Sequence, residues 1–314
     1  MNRIKSWLIF FLVMSCLVGC SGGSSSAKTT TSKKLRDNTP VIHEPVVNGK
    51  ITLGNDKCII DLSNQKEGYM MVKYLGSNDK VKFRIYNPGD HDPYTYDVKS
   101  GYNVFPITGG SGSYKFILYE HASGTKYYLS YVKTTTLTVK NSYTTYLYPN
   151  QFVNFNASSQ TVAKGKDLAK NCYSDLDVVS AVYNYIIKHV SYDYDKSKTV
   201  DAGGLKGYLP DVDAILKSKK GICFDYAAVM ATMLRSQNIP TRMLIGYAKT
   251  PDGTVYHAWI GVYIKNKGWI DNLIEFDGKN WSMMDPTIAS ENPDSSTIKD
   301  FITNKNNYVE KYKY

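Results

Sequence analysis

The chain has 314 residues, enough for two domains of ordinary size, and its composition is that of a folded protein. Its net charge of +10 raises the question of a nucleic-acid partner. The first 38 residues hold six of the 38 basic residues and one of the 28 acids, which leaves 32 bases and 27 acids for the rest. That small excess, with no basic stripe interleaved with aromatic residues, argues against a nucleic-acid-binding protein.

The N-terminus is typical of an exported protein. Arg3 and Lys5 precede an apolar run over residues 7–18, which is short for a membrane span and has the proportions of a secretory signal. The run ends Leu17-Val18-Gly19-Cys20, which resembles the bacterial lipobox. The resemblance implies a signal peptide over residues 1–19 and a lipid on Cys20, which would anchor an extracytoplasmic protein to the bacterial cell membrane. The alternative is an ordinary signal peptide with an incidental cysteine.

Residues 20–39 predict a flexible tether, because Ser, Gly, Lys and Thr dominate them and cannot bury a core. Residues 40–150 predict an all-β domain, since short strand-like runs, several alternating apolar with polar, are separated by Gly-containing and Pro-containing turns. The runs cover residues 70–75, 80–86, 114–119 and 127–132. This pattern favours an immunoglobulin-like sandwich.

Fourteen of the 27 tyrosines fall between residues 40 and 150. Tyrosine favours strands and covers half-buried faces, so packing is the favoured explanation. Sugar stacking is the alternative.

Residues 151–314 are the second predicted domain. Residues 161–170 are a short helix or a linker, and Ser174 begins a helix whose apolar residues recur at helical spacing until His189. Residues 191–209 are predicted to be a loop that contains Tyr192 and Tyr194. Because loops beside a reactive thiol often select substrates, these two tyrosines are candidate groove residues.

Once Cys16 is removed with the signal and Cys20 is assigned to lipid, Cys58, Cys172 and Cys223 remain. An odd number leaves at least one thiol without a partner in the chain. The spacing permits either a bridge between Cys58 and Cys172 or two buried free thiols.

Cys223 lies where a thiolate would be stabilised. Small and apolar residues at three- and four-residue steps predict a helix over residues 224–237, which Asn238-Ile239-Pro240 ends. Cys223 therefore lies at the first turn, where unpaired backbone N–H groups favour an anion. Gly221 allows the preceding loop to bend tightly.

His257 and Asp285 supply the other groups that thiol chemistry uses. Two β-branched or aromatic runs flank the Pro251-Asp252-Gly253 turn signal, so His257 is predicted to open the second strand of an antiparallel hairpin. Its imidazole could take the thiol proton and return it to a leaving amine. Asp285 ends a further predicted strand and could fix the imidazole orientation.

These residues and their contexts resemble the transglutaminase-like superfamily. The resemblance covers about residues 175–290. It rests on Gly221-x-Cys223 with Tyr226-Ala227, Leu234-Arg235, Ile239-Pro240-x-Arg242, Gly246-Tyr247, His257-Ala258-Trp259, Gly268-Trp269 and Asp285-Pro286-Thr287. It implies an α+β domain with a papain-like core, in which the helix that carries the cysteine packs on an antiparallel sheet. Cys223 would be the nucleophile, His257 the base and Asp285 the orienting acid.

The interval between His257 and Asp285 is longer than in many members of the family, and residues 271–278 are interpreted as part of an extended hairpin. Asp271 is therefore a rival orienting acid. Tyr226 and Trp259, beside the catalytic positions, are further candidate groove residues. The Cys223 N–H is the expected first donor to the oxyanion.

The expected activity is that of a cysteine peptidase or amidase that cleaves amide bonds through an acyl-thioester on Cys223. The expected substrates are proteins, peptides or the stem peptides of peptidoglycan. Transfer of the acyl group from glutamine to a lysine amine is the first alternative, and a non-catalytic binding or scaffold module is the second. No metal site and no cofactor are expected, and the sequence does not define the oligomeric state.

Overall fold

The computed structural model describes residues 34–205, 207–250, 253–271, 273–275, 281–283, 285–291 and 295–314. Its described residues belong to one compact unit, Lys34–Tyr314. The predicted signal peptide, the lipobox and the first part of the tether lie outside the described residues. Across the described ranges, no helix is both long enough and apolar enough to cross a bilayer.

The N-terminal part is rich in β-structure, as predicted. Its strands are β1 (Thr52–Gly54), β2 (Cys58–Asp61), β3 (Tyr69–Tyr74), β4 (Val81–Tyr86), β5 (Tyr94–Val98), β6 (Tyr102–Pro106), β7 (Gly112–Ser123) and β8 (Lys126–Leu137). They form two antiparallel sheets, one in the order β1-β2-β3-β6 and the other in the order β5-β4-β7-β8. The chain crosses between the sheets after β3, β5 and β6, a Greek-key path typical of immunoglobulin-like sandwiches.

Aromatic rings from both sheets form the centre of this sandwich. Residues in β4 alternate between buried and half-buried, so Phe83 points inward. Its ring stacks on Phe105 of the opposite sheet at 5.5 Å and on Phe116 of its own sheet at 5.8 Å between centroids. Burial of each such ring stabilises the fold by about 1.5–3 kcal/mol.

The C-terminal part mixes helices with a second set of strands. The helices are α1 (Gln160–Leu168), α2 (Asp175–His189), α3 (Tyr194–Asp201), α4 (Val212–Ser218), α5 (Cys223–Arg235), α6 (Pro286–Glu291) and α7 (Ser296–Thr303). The strands are β9 (Ser191–Tyr192), β10 (Lys220–Gly221), β11 (Thr241–Thr250), β12 (Gly253–Ile264), β13 (Gly268–Ile270), β14 (Leu273–Glu275), β15 (Trp281–Met283) and β16 (Tyr308–Lys313).

Helix α5 packs on a four-stranded antiparallel sheet in the order β13-β12-β11-β16. The predicted hairpin is formed by β11 and β12, although residues 251–252 of its turn lie outside the described part. The long interval before Asp285 contains a second hairpin, β14 with β15, as interpreted from the sequence. The C-terminal strand β16 pairs with β11 at the edge of the sheet.

The predicted loop over residues 191–209 is wrong in part, because it contains strand β9 and helix α3. The Asp193 side chain accepts a hydrogen bond from the Lys196 backbone N–H at 3.0 Å and caps α3. Since α3 lacks a regular apolar face, the sequence gives little periodic signal for it.

Arg235 joins the two parts of the chain. Its side chain is fully buried at the end of α5 and donates to the backbone carbonyls of Tyr148, Thr241 and Tyr314, each at 2.7–2.8 Å. Burial lowers the pKa of its guanidinium to about 9. Buried residues run continuously from the sandwich to the helices, so the boundary near residue 150 stays a prediction.

Both remaining cysteines outside α5 are buried free thiols. Cys58 lies in the sandwich, and Cys172 follows α1. The possibility of a bridge between them is therefore resolved in favour of two separate thiols.

Candidate active site

Cys223 is the first residue of α5, and its side chain is partly exposed. The first N–H groups of a helix have no partner within the helix, and its N-terminus carries a partial positive charge. A thiolate at this position is therefore stabilised, and the Cys223 N–H remains available to an oxyanion.

Asp225 folds back over the start of the same helix. Its carboxylate accepts the Ile222 N–H at 2.9 Å, and it is completely buried. A Cβ on Gly221 would lie 2.6 Å from the Cβ of Asp225, closer than real side chains approach. Gly221 is thus required because Asp225 packs against it, and the predicted role in a tight bend is secondary.

His257 lies on β12 opposite Gly246 of β11, and it is 7% exposed. Its Nε2 is 2.7 Å from Oδ2 of Asp285, and its ring interacts with the Cys223 side chain in the cavity that both residues line. With Nε2 directed at the carboxylate, Nδ1 is the nitrogen that remains for the thiol. Sulfur, imidazole and carboxylate therefore meet in the order that the sequence predicts.

Two opposing effects act on the pKa of His257. Burial lowers this pKa, but the negative charges of Asp285 and Cys223 and the hydrogen bonds to both raise it. The charges and hydrogen bonds dominate, so the pKa lies well above its usual value. At neutral pH the imidazole is therefore protonated beside the sulfur, which favours a thiolate–imidazolium pair.

Asp285 is 1% exposed and is held by three donors. Besides His257, it accepts the Ile288 N–H at 3.1 Å and the Tyr308 hydroxyl at 2.9 Å. Burial, followed by the charge and hydrogen bond of Asp285, strongly raises the pKa of Tyr308, so this hydroxyl remains a donor. Sequence reasoning assigned no chemistry to residues beyond Thr287 and missed Tyr308, because pairing of β16 with β11 is a tertiary event.

Asp271 has another partner. It forms an ion pair with Arg242, whose Nε lies 2.9 Å from Oδ1 and whose guanidinium lies 4.4 Å from the centroid of the Trp269 ring. The Asp271 carboxylate lies so close to β12 that a Cβ on Gly261 would be 1.9 Å from the same Oδ1. Asp271 therefore stabilises the sheet, and the rival role as the histidine partner is wrong.

The predicted groove residues need correction. Tyr226 is fully buried, and its hydroxyl donates to the Val190 carbonyl at 2.7 Å, so it belongs to the core. Trp259 is also buried, with its ring nearly parallel to that of His257 at 6.3 Å between centroids. The rings of Tyr192 and Tyr194 contact each other at 5.0 Å, and neither lines the cavity at Cys223.

The cavity at Cys223, here called the thiol pocket, has a volume of about 310 Å³. Its walls come from the segment between β8 and α1, the end of α3 and the segment that follows it, the start of α5, the β11–β12 hairpin and β16. Beyond Cys223 and His257, the described lining residues are Phe152, Val200, Leu205, Gly207, Tyr208, Ile222, Phe224, Ile245, Tyr256, Ala258, Tyr312 and Tyr314. None of these side chains carries a formal charge at neutral pH, so an apolar group is favoured there.

A polar cluster attaches one wall of the thiol pocket to α5. Tyr208 donates to Oδ1 of Asp225 at 2.6 Å, while Lys196 forms an ion pair with Oδ2. The Lys196 ammonium also lies 3.9 Å from the centroid of the Tyr208 ring. Because Asp225 is buried, this ion pair is shielded from solvent and holds the segment after α3 in place.

A partly exposed thiol at the positive end of a helix, with a buried imidazole and carboxylate in line, defines a cysteine-dependent enzyme site. Comparison with known proteins agrees with this class. Residues 162–272 match the model of the transglutaminase-like superfamily, so the chain contains a transglutaminase-like domain. That match includes Cys223 and His257 and ends before Asp285.

Similar proteins include a peptidase and a UPF0252 protein. The kyphoscoliosis peptidase of Mus musculus is 27% identical over 156 residues, which cover 46% of this chain and 21% of that protein. A UPF0252 protein of Methanocaldococcus jannaschii is 25% identical over 255 residues, which cover 76% of this chain and 71% of that protein. The chain therefore spans about a fifth of the peptidase.

Among solved structures, red sea bream transglutaminase aligns with a TM-score of 0.28 and 12% identity. The alignment covers 70% of this chain and 50% of that one.

Proposed function

We propose that the protein is a cysteine peptidase or amidase that cleaves amide bonds through an acyl-thioester on Cys223. The observation that carries the proposal is the continuous contact from the Cys223 thiol through His257 to Asp285. A scaffold module has no need of a buried, protonated histidine beside a partly exposed thiol, and burying such a charge is costly.

The reaction runs in two balanced steps. The Cys223 thiolate attacks the amide carbonyl carbon, the C–N bond breaks, and the amine leaves with the proton that His257 gives up. Water then attacks the thioester and loses a proton to His257, and the carboxylic acid leaves as the thiolate–imidazolium pair is restored. The Cys223 N–H faces the oxyanion in both tetrahedral intermediates.

Water is the favoured acceptor because the thiol pocket is open. Tyr256 is 58% exposed at its edge, and Val200 and Leu205 are each 37% exposed. Water therefore reaches the thioester in such a site. An amine would compete with water only if it were bound next to the thioester. The name of the similar mouse protein, a peptidase, agrees with hydrolysis.

The walls of the thiol pocket favour a protein or peptide substrate with a large apolar side chain next to the cleaved amide. Phe224 and Leu205 supply apolar surface, and Phe152 lines the pocket from the segment before α1. The stem peptides of peptidoglycan offer mostly small or charged side chains, which fill such a pocket less well.

Peptides that differ only beside the cleaved bond test this function. With Leu or Phe at that position, kcat/KM is expected to exceed the value with Asp by about 100-fold, since a charge in an apolar pocket loses hydration. Leu205→Ala should reduce the preference, whereas Tyr194→Ala, which changes an exposed ring outside the pocket, should not.

Product analysis in the presence of a primary amine decides the acceptor: amide formation faster than acid release would replace hydrolysis by acyl transfer. Absence of both products and of an acyl-thioester on Cys223 by mass spectrometry would leave the scaffold alternative.

The proposed location is the outer face of the bacterial cytoplasmic membrane, through a lipid on Cys20. The support is the sequence Leu17-Val18-Gly19-Cys20 after an apolar run. Cells fed labelled palmitate should incorporate it into the wild-type protein and not into Cys20→Ala, which should accumulate outside the membrane fraction. Equal labelling of both forms, or of neither, would contradict lipid anchoring.

A further inference from the structure

The tyrosines of the sandwich divide into two groups. Those with side chains in the core, Tyr69, Tyr94, Tyr96 and Tyr114, are almost completely buried, which agrees with the packing explanation. Others lie on the outer face of the β5-β4-β7-β8 sheet beside cations. The Lys115 ammonium lies 5.6 Å from the centroid of the Tyr86 ring, and the Arg84 guanidinium lies 5.2 Å from that of Tyr119.

A cavity of about 360 Å³ opens on this outer face, and we call it the sheet pocket. Polar side chains line it, namely Lys82, Arg84, Thr95, Tyr119, Thr125 and Tyr127. Lys82 is neutralised by an ion pair with Asp97 at 2.5 Å. The net charge of the sheet pocket therefore comes from Arg84.

Arg84 differs from the other arginines of the described chain. Arg36 donates to the carboxylate of Asp175, Arg242 to that of Asp271, and Arg235 to three backbone carbonyls. The Nε of Arg84 is shielded from solvent and has no hydrogen-bond partner among the described residues. No ion pair among the described residues neutralises Arg84, so an anion that enters the pocket would bind the outer nitrogens of its guanidinium without displacing a carboxylate.

The chemistry of the pocket defines its ligand. A guanidinium binds carboxylate or phosphate oxygens through its planar fork, and here Tyr119 already orients it. Tyr119 and Tyr127 line the pocket with aromatic rings, which suit a sugar ring, and the hydroxyls of Thr95 and Thr125 can bond to sugar hydroxyls. We propose that the sheet pocket binds a sugar unit that carries a carboxylate or a phosphate, with the anionic group on Arg84.

Asp97 lies beside a lining residue of each pocket. This residue pairs with Lys82, and a Cβ on Gly207 would lie 3.4 Å from its Oδ2. Gly207 lines the thiol pocket. The binding itself does not depend on the proposed catalysis.

Calorimetric titration of the folded protein tests the proposal with three probes. They are a disaccharide that contains glucuronate, a short glycerol-phosphate oligomer and a neutral glucose disaccharide. We expect one or both anionic probes to bind and the neutral probe to bind at least about tenfold more weakly, since a charged hydrogen-bond pair is lost. The two anionic probes separate a carboxylate source from a phosphate source.

Variants locate the site. Arg84→Gln should weaken binding of the anionic probe about tenfold or more, and Arg84→Lys should fall between it and the wild type because the charge remains without the fork. Lys133→Gln removes an exposed charge from β8 of the same sheet and should leave affinity within about twofold. Arg84→Gln should still unfold cooperatively, and its cleavage of a short peptide should be unchanged. Failure of both anionic probes to bind, or equal affinity in the wild type and Arg84→Gln, overturns the proposal without affecting the catalytic one.

Discussion

Replacement of Cys223 by alanine is expected to lower kcat/KM for peptide cleavage by about 10,000-fold or more, because no covalent intermediate can form. The side chain is partly exposed at the first turn of α5, so its removal should change the unfolding temperature little. Stopped assays with the favoured leucine or phenylalanine peptide measure the loss. Cys172→Ala is the matched control, since it removes a thiol that lies outside the thiol pocket.

Alkylation gives a second measure of the same prediction. Burial raises the pKa of Cys58 to about 11, and burial together with the charge of Asp177 raises that of Cys172. Cys223 instead lies next to a protonated histidine. Iodoacetamide at neutral pH should therefore modify Cys223 first, and activity should fall in proportion. Activity that survives complete modification of Cys223 would contradict the proposed nucleophile.

Local sequence signals predicted the elements that carry the site. The apolar spacing after Cys223 gives α5, and the β-branched runs around the Pro251-Asp252-Gly253 turn signal give the hairpin of His257. Both signals are local, because each depends on the periodicity of one segment and on the residues that end it. The fold of the helix against the sheet then brings thiol and imidazole together.

The features that the sequence did not predict depend on pairings between distant segments. Tyr308 reaches Asp285 only because β16 pairs with β11, and no periodicity reports which strand lies at that edge. Tyr226 looked available beside the nucleophile, but α5 is buried on nearly all sides, so proximity in sequence did not mean exposure. Asp225 is another case, since its partner Lys196 lies on a helix that has no periodic apolar face.

The pH dependence of kcat/KM should distinguish the roles of Asp285, Tyr308 and Asp271. The raised pKa of His257 keeps the thiolate–imidazolium pair intact up to alkaline pH, and activity falls as the pH rises through that pKa. Asp285→Asn removes a charge that raises the pKa, so the alkaline limb should move to lower pH. We also expect kcat/KM to fall by about 1,000- to 10,000-fold, because an amide can hold the wrong tautomer.

Tyr308→Phe should have the opposite effect on the alkaline limb. Without the hydroxyl at 2.9 Å, the Asp285 carboxylate shares its charge with one donor fewer, so its attraction for the imidazolium grows and the limb moves to higher pH. The loss of kcat/KM should be only about tenfold, the typical effect of one hydrogen bond to a charged group. Asp271→Asn is the control for both variants: it breaks the pair with Arg242 and should lower the unfolding temperature while the alkaline limb stays in place. A limb that moves in Asp271→Asn and not in Asp285→Asn would exchange the roles assigned to these two acids.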